Sequence, residues 1–185
     1  IKNISDVKEH FVNALKARLD KRPGPVWLDI PVDILWSEYN EPLLKEDDIK
    51  LNLKNKSSEK IDFFINDVLS KSKRPLLLLG GGCRTPRISN LEEKLIKIGI
   101  PFVTTWLGHD LVPFSESNLH LGHIGISGQR GANLAIGICD GLIAIGSSIS
   151  NSITTTRTER FGANAKKINI NIDSNEFTHT SEIFD

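Results

Sequence analysis

The chain is 185 residues long and 39% of its residues are hydrophobic, a share typical of a globular protein rather than a disordered one. Lysine plus arginine and aspartate plus glutamate both total 23, so the net charge is zero and no basic excess favours binding to nucleic acid or to an anionic membrane. The two cysteines have neither CxxC nor metal-ligand spacing, and no apolar run approaches the roughly 18 residues that span a membrane, so a reducing cytoplasm is the expected location.

The amino-terminal residues predict a helix followed by a short strand. Apolar residues recur at helical spacing over residues 5–19. Residues 26–30 are typical of a strand that Pro31 closes, because proline cannot donate a ladder hydrogen bond. This pair is too small to bury its own apolar faces, so they must cover the main domain or sequence that precedes Ile1. A first residue other than methionine favours a fragment of a longer protein.

The next segment, residues 37–58, is polar and rich in lysine, aspartate and asparagine. It shows only a weak alternation of apolar residues around Leu51. We therefore predict that this segment is a linker between two domains.

Helical and strand patterns alternate after the linker. Helices are predicted at residues 59–70, 88–98 and 131–139, and strands at residues 75–79, 102–105, 142–145 and 167–172. The first of these strands is apolar at every position, which is typical of a parallel strand buried on both faces. Strands that alternate with helices are joined by right-handed crossovers, so the sequence predicts an α/β fold with an open parallel sheet and helices on both faces.

Gly80, Gly81 and Gly82 directly follow the first strand of this series. Ligands bind beyond the carboxyl ends of the strands in an open parallel sheet, and glycines there allow a phosphate or ribose to approach the backbone. Arg84 or Arg87 would add positive charge. The same stretch is equally compatible with a tight turn between strand and helix that holds no ligand.

A standard NAD site is disfavoured at this turn. The GxGxxG fingerprint requires a third glycine where Thr85 stands. It also requires an acidic residue at the end of the second strand, where this sequence has only Val103, Thr104, Thr105 and Trp106.

A second glycine cluster consists of Gly122, Gly125, Gly128 and Gly131, with Arg130 at the start of the following helix. Free N–H groups and the helix dipole favour an anion at such a helix start. The alternative is a long loop whose arginine is merely solvated, because no P-loop lysine accompanies these glycines.

Asp173 ends the last predicted strand. A carboxylate there could accept hydrogen bonds from a ribose or from an adenine amine. It could equally cap the turn at Ser174 and Asn175, which is the commoner role.

Other polar groups give little support for catalysis or metal binding. His120 and His123 have the i, i+3 spacing of metal ligands, but the surrounding glycines predict a loop, and no acidic third ligand is near in the sequence. Cys83 has no evident activating histidine and Cys139 lies at an apolar helix end, so both thiols are expected to be unreactive. Ser147 lacks the GxSxG context of a nucleophile.

Five motifs lie in a familiar order along nearly the whole chain. They are GPVWLDIPVDI (24–34), PLLLLGGGCR (75–84), IPFVTTWLGHDLVP (100–113), HLGHIGISGQRGANLAIGICDGLIAIGS (120–147) and AKKININID (165–173). Together they resemble thiamine-diphosphate-dependent enzymes of the acetolactate synthase type. The resemblance implies that residues 1–36 are the tail of an amino-terminal pyrimidine-binding domain, residues 37–58 a linker and residues 59–185 the central domain.

By this resemblance the parent enzyme uses thiamine diphosphate and Mg²⁺, which two other domains bind. Those domains supply a glutamate that activates the aminopyrimidine and a GDG motif that holds magnesium and diphosphate, and neither element is in this sequence. The parent would decarboxylate a 2-oxo acid such as pyruvate, transfer the two-carbon unit, and form a homo-oligomer, either a dimer or a tetramer. This chain alone is expected to be inactive.

The resemblance also implies a six-stranded parallel sheet that in some members holds FAD or ADP. The residues implied to contact the nucleotide lie at the carboxyl ends of the strands: Gly80, Gly81, Gly82, Thr105, Trp106, Leu107, Gly125, Gly128, Arg130, Ile172 and Asp173. FAD-binding members carry an Arg-Phe-Asp-Asp-Arg stretch where residues 147–151 of this chain read Ser-Ser-Ile-Ser-Asn. That departure removes the charges expected near the nucleotide and predicts weak or absent FAD binding.

A function of another class is a stand-alone nucleotide-binding module built on the same sheet, and a decarboxylase or lyase of the same family is a further alternative. One scaffold serves all of these, so the fold alone does not separate them. Sequence beyond the two ends would discriminate, because the enzyme requires an activating glutamate upstream and a GDG motif downstream.

Overall fold

The computed structural model describes residues 1–19, 22–40, 42, 59–84, 90–113 and 118–184. The chain divides into two compact units, Ile1–Lys56 and Ser57–Asp185. Most of the predicted linker at residues 37–58 lies outside the described residues.

The first unit contains a helix, α1, at Val7–Leu19 and a single helical turn, α2, at Val32–Leu35. A 3-10 turn at Ile4–Asp6 precedes α1. Together they cover the helix predicted at residues 5–19, which is therefore confirmed. The predicted strand at residues 26–30 is wrong, because these residues form neither helix nor strand. A strand needs a neighbouring backbone to complete its hydrogen bonds, and the described residues of this unit provide none.

Large apolar side chains around α2 are exposed in this unit. Trp27 is 91% exposed, Trp36 83%, Val32 68% and Leu35 66%. Burial of one such side chain typically stabilises a fold by about 2 kcal/mol. Four of these side chains lie within ten residues and remain exposed, so this stabilisation is absent for each of them. An apolar surface of this kind is typical of a face that packs against another polypeptide.

The second unit alternates strands and helices, as the sequence predicts. Its strands are β1 (Pro75–Leu79), β2 (Phe102–Thr104), β3 (His120–His123), β4 (Gly141–Ile145) and β5 (Lys166–Ile170). Its helices are α3 (Glu59–Lys71), α4 (Leu91–Ile98), α5 (Arg130–Ile138), α6 (Asn151–Thr154) and α7 (Asn175–Thr180). Predicted and observed bounds agree to within two residues except at the start of α4, where residues 85–89 lie outside the described part of the chain. None of the helices in the described ranges has the length and apolar character needed to cross a membrane.

The five strands are all parallel, and their order across the sheet is β3-β2-β1-β4-β5. β1 lies at the centre and pairs with β4 over all of Pro75–Leu79. The chain builds outwards from β1 to β3 and then crosses to the other side of β1 to add β4 and β5. This reversal creates a switch point between the carboxyl ends of β1 and β4, which is where open parallel sheets bind ligands.

The open parallel sheet is confirmed, but the described residues form five strands rather than six. The sequence pattern predicts a loop around His120 and His123, whereas the structure has β3 there. Pairing with β2 explains the difference: Phe102 N donates to Leu119 O (2.8 Å), and Ile124 N donates to the last carbonyl of β2 (2.9 Å). Tertiary pairing of this kind overrides a weak local strand propensity.

Both faces of the sheet are buried. Leu78 of β1 packs in one cluster with Ile136 of α5. Leu79, the next residue along the strand, packs in the opposite cluster with Val68 of α3 and Leu95 of α4. Because successive strand residues point to opposite faces, burial on both sides explains why β1 is apolar at every position.

The amino edge of the sheet is held by Asp140, which directly precedes β4. Its carboxylate accepts hydrogen bonds from Arg74 N (2.7 Å) and Lys73 N (3.1 Å). Its backbone N–H donates to Arg74 O (3.3 Å) and its carbonyl accepts from Lys166 N (3.1 Å), so one residue joins the starts of β1, β4 and β5. The N–H groups of Arg74 and, less strongly, Lys73 lower the pKa of the Asp140 carboxyl below its ordinary value of 3.8.

We expect Asp140→Asn to lower the Tm by a few degrees at pH 7, because a neutral amide oxygen accepts these bonds more weakly than a carboxylate. The lowered pKa means that the ionised carboxylate stabilises the fold above about pH 4, and this contribution is lost as the pH falls through the folded-state pKa. Thermal denaturation at a series of pH values should therefore show the two Tm values converging in acid. A difference that is the same at every pH would contradict this role.

Candidate ligand site at the carboxyl edge of the sheet

The glycines after β1 lie against the loop that follows β4. Gly80 N donates to Ile145 O (2.9 Å), and Gly82 N donates to Gly146 O (2.8 Å). A Cβ on Gly80 would lie 2.3 Å from Gly146 O, and a Cβ on Gly82 would lie 2.7 Å from it. Real Cβ atoms do not make contacts this short, so the two loops can meet only because both positions are glycine.

The third of these glycines, Gly81, lies against the loop after β2. A Cβ on Gly81 would lie 3.1 Å from Leu107 O. Thr105 is buried and its N–H donates to Leu79 O (2.9 Å), so this loop is also attached to β1. Trp106 and Leu107 are 60% and 74% exposed, so their side chains form an apolar surface at this edge.

Trp106 forms an aromatic cluster with two histidines. Its ring stacks on that of His109 with centroids 5.6 Å apart, and it meets that of His123 edge-on at 5.3 Å. Backbone carbonyls orient both imidazoles: His109 Nδ1 lies 2.7 Å from Trp106 O, and His123 Nε2 lies 3.0 Å from Ser127 O. The cluster joins the loop that follows β2 to the last residue of β3.

The arginine nearest the first glycine cluster is engaged with protein groups. Arg84 forms an ion pair with Asp110 and donates to Leu107 O (3.1 Å). The backbone N–H of Asp110 itself and the Arg84 guanidinium lower the pKa of the Asp110 carboxyl. Both side chains are 55% exposed, so the pair adds little stability. Thr85 and Arg87 lie outside the described residues.

Asn133 of α5 holds the glycine loop after β3. Its side chain accepts a hydrogen bond from Gly125 N (2.9 Å) and donates one to Gly125 O (3.0 Å). Gly125 has a φ of 111°, and a Cβ there would lie 2.5 Å from Ser152 O. A Cβ on Gly128 would lie 2.6 Å from the carbonyl carbon of Ile124. The packing of this loop therefore requires glycine at both positions.

Arg130 is the first residue of α5, as the sequence predicts to within one residue, and it is exposed. Gln129 precedes it and accepts a hydrogen bond from His123 N (3.0 Å) through its side chain. That side chain occupies the space beside Gly122, where a Cβ would lie 1.6 Å from Gln129 Oε1. By contrast, a Cβ on Gly131 would meet no atom within 4 Å, so its space does not require glycine.

β5 ends at Ile170, two residues earlier than predicted, so Asp173 does not end the strand as the sequence suggests. The side chain of Asn171 explains this early end, because its Oδ1 accepts a hydrogen bond from Asp173 N (3.0 Å) and turns the chain. Asp173 Oδ1 then accepts from Asn175 N (3.0 Å), which is the capping role that the sequence left open. Ile172 is 67% exposed in this turn.

The strand order decides which of the predicted site residues come together. Residues 80–82 and 105–107 follow the adjacent strands β1 and β2 and contact each other. Gly125 and Gly128 follow β3, which β2 separates from β1, so about 10 Å of sheet lies between the two glycine clusters. Residues 172–173 follow β5 on the opposite side of β1. The glycine clusters therefore line separate parts of one edge.

Three residues that organise this edge lie within the quoted motifs but were not predicted as site residues: Gly146, Asn133 and Asn171. Gly146 follows an apolar strand directly, as Gly80 does, and this parallel was the available signal. Asn133 is the one polar residue of α5 after Arg130, whereas Asn171 continues the alternation of the strand predicted at residues 167–172 and gives no separate signal. These signals indicate a polar contact but do not identify its partner.

The cysteines and His120 are buried. Burial raises the pKa of the Cys83 thiol and raises that of Cys139 to about 11, which agrees with unreactive thiols. His120 stacks on Phe102 with ring centroids 4.8 Å apart, and burial lowers its pKa. Within the described ranges, no group of three histidine, cysteine or acidic residues could hold a metal ion.

The family model described as thiamine pyrophosphate enzyme, central domain, matches residues 64–183. This range includes all five strands and the carboxyl edge described above. The chain therefore belongs to the thiamine pyrophosphate enzymes, as their central domain, and the resemblance found in the sequence is confirmed.

Large subunits of acetolactate synthase are similar to the chain. The subunit of Porphyra purpurea is 32% identical over 161 residues, which cover 84% of this chain and 27% of the relative. That of Cyanidium caldarium is 34% identical over 167 residues, with 84% and 27% covered. The isozyme 1 large subunit of Escherichia coli K12 is 29% identical over 181 residues, with 95% and 31% covered. The chain thus spans less than a third of the length of these relatives.

We expect Gly80→Ala to lower the free energy of unfolding by about 2 kcal/mol or more, because the added Cβ would force the β1 and β4 loops apart. Gly131→Ala is the matched control, since the same Cβ has open space in the first turn of α5. The control should leave stability unchanged or raise it by up to about 1 kcal/mol. Urea denaturation followed by circular dichroism measures both, and equal losses would refute the packing role of Gly80.

Proposed function

We propose that the parent protein is a thiamine-diphosphate-dependent transferase that decarboxylates a 2-oxo acid such as pyruvate and passes the two-carbon unit to an acceptor. The observation that supports this most strongly is the similarity to acetolactate synthase large subunits over 84% to 95% of the chain. When bound, thiamine diphosphate supplies the electron sink that such a decarboxylation requires. The activity belongs to the whole protein, because this chain corresponds to about 30% of its relatives.

Mg²⁺ and thiamine diphosphate belong, in this proposal, to other domains of the parent. The described residues do not fit a magnesium site, because they contain no metal-holding group of acidic or histidine side chains. Carboxylates at the carboxyl edge are also occupied by protein donors: Asp110 pairs with Arg84, and Asp173 accepts from Asn175 N. The role that we assign to this chain is to support the parent's architecture.

The proposed domain boundaries are those of the family: residues 1–36 as the tail of the pyrimidine-binding domain, 37–58 as a linker and 59–185 as the central domain. The division into Ile1–Lys56 and Ser57–Asp185 supports a boundary in the linker. The exposed indoles of Trp27 and Trp36 suit a tail that the rest of its own domain covers. We further propose a homo-oligomeric parent in the cytoplasm, where the free cysteines would remain reduced.

In family members that hold FAD or ADP in this domain, the implied nucleotide surface is the carboxyl edge. We propose that its counterpart here comprises residues 80–82, 105–107 and 172–173, together with the glycine loop after β3 and Arg130. The uncharged residues 147–151 disfavour FAD at this surface.

The direct test is to express the complete open reading frame and to follow pyruvate consumption and CO₂ release. We expect turnover to require both thiamine diphosphate and Mg²⁺ and to stop on chelation of the metal, and we expect the 185-residue chain alone to show none. Product analysis separates a synthase, which forms acetolactate, from a decarboxylase, which forms acetaldehyde. If the complete protein showed no thiamine-diphosphate-dependent turnover of any 2-oxo acid, or if the isolated chain were active, the proposal would fail.

A further inference from the structure

We infer that the protein's own polar contacts close the carboxyl edge between β4 and β5. This part of the edge therefore does not hold a flavin or adenine nucleotide, and the domain keeps its fold without such a ligand. The inference rests on the proposed function, because the nucleotide concerned is the one that some members of the family hold in the central domain. It replaces the implied nucleotide site with a contact between the β4 loop, residues 146–150, and α7.

Hydrogen bonds donated by side chains join the loop after β4 to the segment after β5. Ser148 Oγ donates to Glu176 Oε1 at 2.6 Å, and Asn171 Nδ2 donates to Ser147 O at 3.1 Å. Thr180 Oγ1 donates to Glu176 O at 2.7 Å, which also fixes the backbone of α7. The Ser148 hydroxyl and the Asn171 amide, which a nucleotide could otherwise use, thus already donate to protein acceptors.

The same loop is packed on its other side against the glycines after β1. A Cβ on Gly80 would lie 2.5 Å from Ser147 Cα, and Gly146 O accepts the hydrogen bond from Gly82 N. Ser147 is only 2% exposed, and its Oγ has no hydrogen-bond partner among the described residues. Because protein atoms enclose this hydroxyl, it is not open to a ligand from solution. Protein contacts on both flanks therefore hold this loop in place.

The charge at this edge also opposes a diphosphate. The carboxylate of Glu176 lies where the β4 loop meets α7, and like charges repel. Residues 147–151 contain no lysine or arginine, and the Arg84 guanidinium is paired with Asp110. Charge-assisted hydrogen bonds from arginine are a common means of binding phosphate, whereas the contact between the β4 loop and α7 contains the carboxylate of Glu176.

The test uses the complete protein and two probes, FAD and ADP. A ligand that binds only the folded state raises the Tm, so thermal denaturation is followed with each probe at up to about 100 µM. We expect no flavin absorbance in the purified protein and a Tm shift below about 1 °C with either probe. Stoichiometric flavin in the purified protein, or a rise of several degrees with either probe, would overturn the inference.

Variants of Glu176 test the closing contact itself. Glu176→Ala removes the acceptor of the Ser148 hydroxyl and should lower the Tm by a few degrees in the absence of ligand. Glu182→Ala is the matched control, because Glu182 is exposed just after α7. The control should leave the Tm unchanged. Glu176→Gln keeps a weaker acceptor oxygen and should have a Tm between those of the alanine variant and the wild type, which covers the case in which the alanine variant does not fold. Glu176→Ala and Glu182→Ala with the same Tm would show that the contact does not close the edge.

Pyruvate turnover with thiamine diphosphate and Mg²⁺ is measured on the same preparations. Flavin binding with intact turnover would contradict this inference but leave the proposed function standing. Loss of turnover in every preparation, with no response to FAD or ADP, would count against the proposed function and leave the closed edge supported.

Discussion

The close approach of two backbones at the centre of the sheet is the constraint on which the rest of the structure depends. β1 and β4 pair along all of Pro75–Leu79, and the loops beyond them continue that contact through the hydrogen bond from Gly82 N to Gly146 O. A Cβ on Gly80 would stand 2.3 Å from the same oxygen. Because β1 is the central strand, the neighbouring loops are placed relative to this contact, as the packing of Gly81 on Leu107 shows.

The contact between the loops that follow β1 and β4 occupies the switch point of the sheet with protein backbone. Open parallel sheets usually bind ligands where the strand order reverses, and here the reversal lies between β1 and β4. Glycine backbone fills that position, and polar side chains from the helices secure the loops on either side, Asn133 on the β3 loop and Glu176 on the β4 loop. An edge built in this way suits the central domain of a thiamine pyrophosphate enzyme that we propose to act as a scaffold, with the reacting groups in other domains.

The sequence predicts the parts of this arrangement that depend on local pattern. The apolar run of β1 indicates a strand buried on both faces, and the glycines indicate a close approach. Residues 26–30 have a strand pattern but no partner strand in the described part of the chain, whereas His120 and its neighbours form β3 because β2 pairs with them. Glycine alone does not reveal what approaches it, so the sequence left a bound phosphate or ribose and a tight turn without a ligand as equal alternatives. The structure shows that the backbone of Gly146 lies there.

Hydrogen exchange at the Gly82 amide measures the central contact most directly. If the bond to Gly146 O opens only when β1 separates from β4, this amide should exchange as slowly as that of Leu78 within β1. Exchange at the fast rate of an exposed turn, such as the one at Trp106, would mean that the two loops are not held together and that the glycines serve some other purpose.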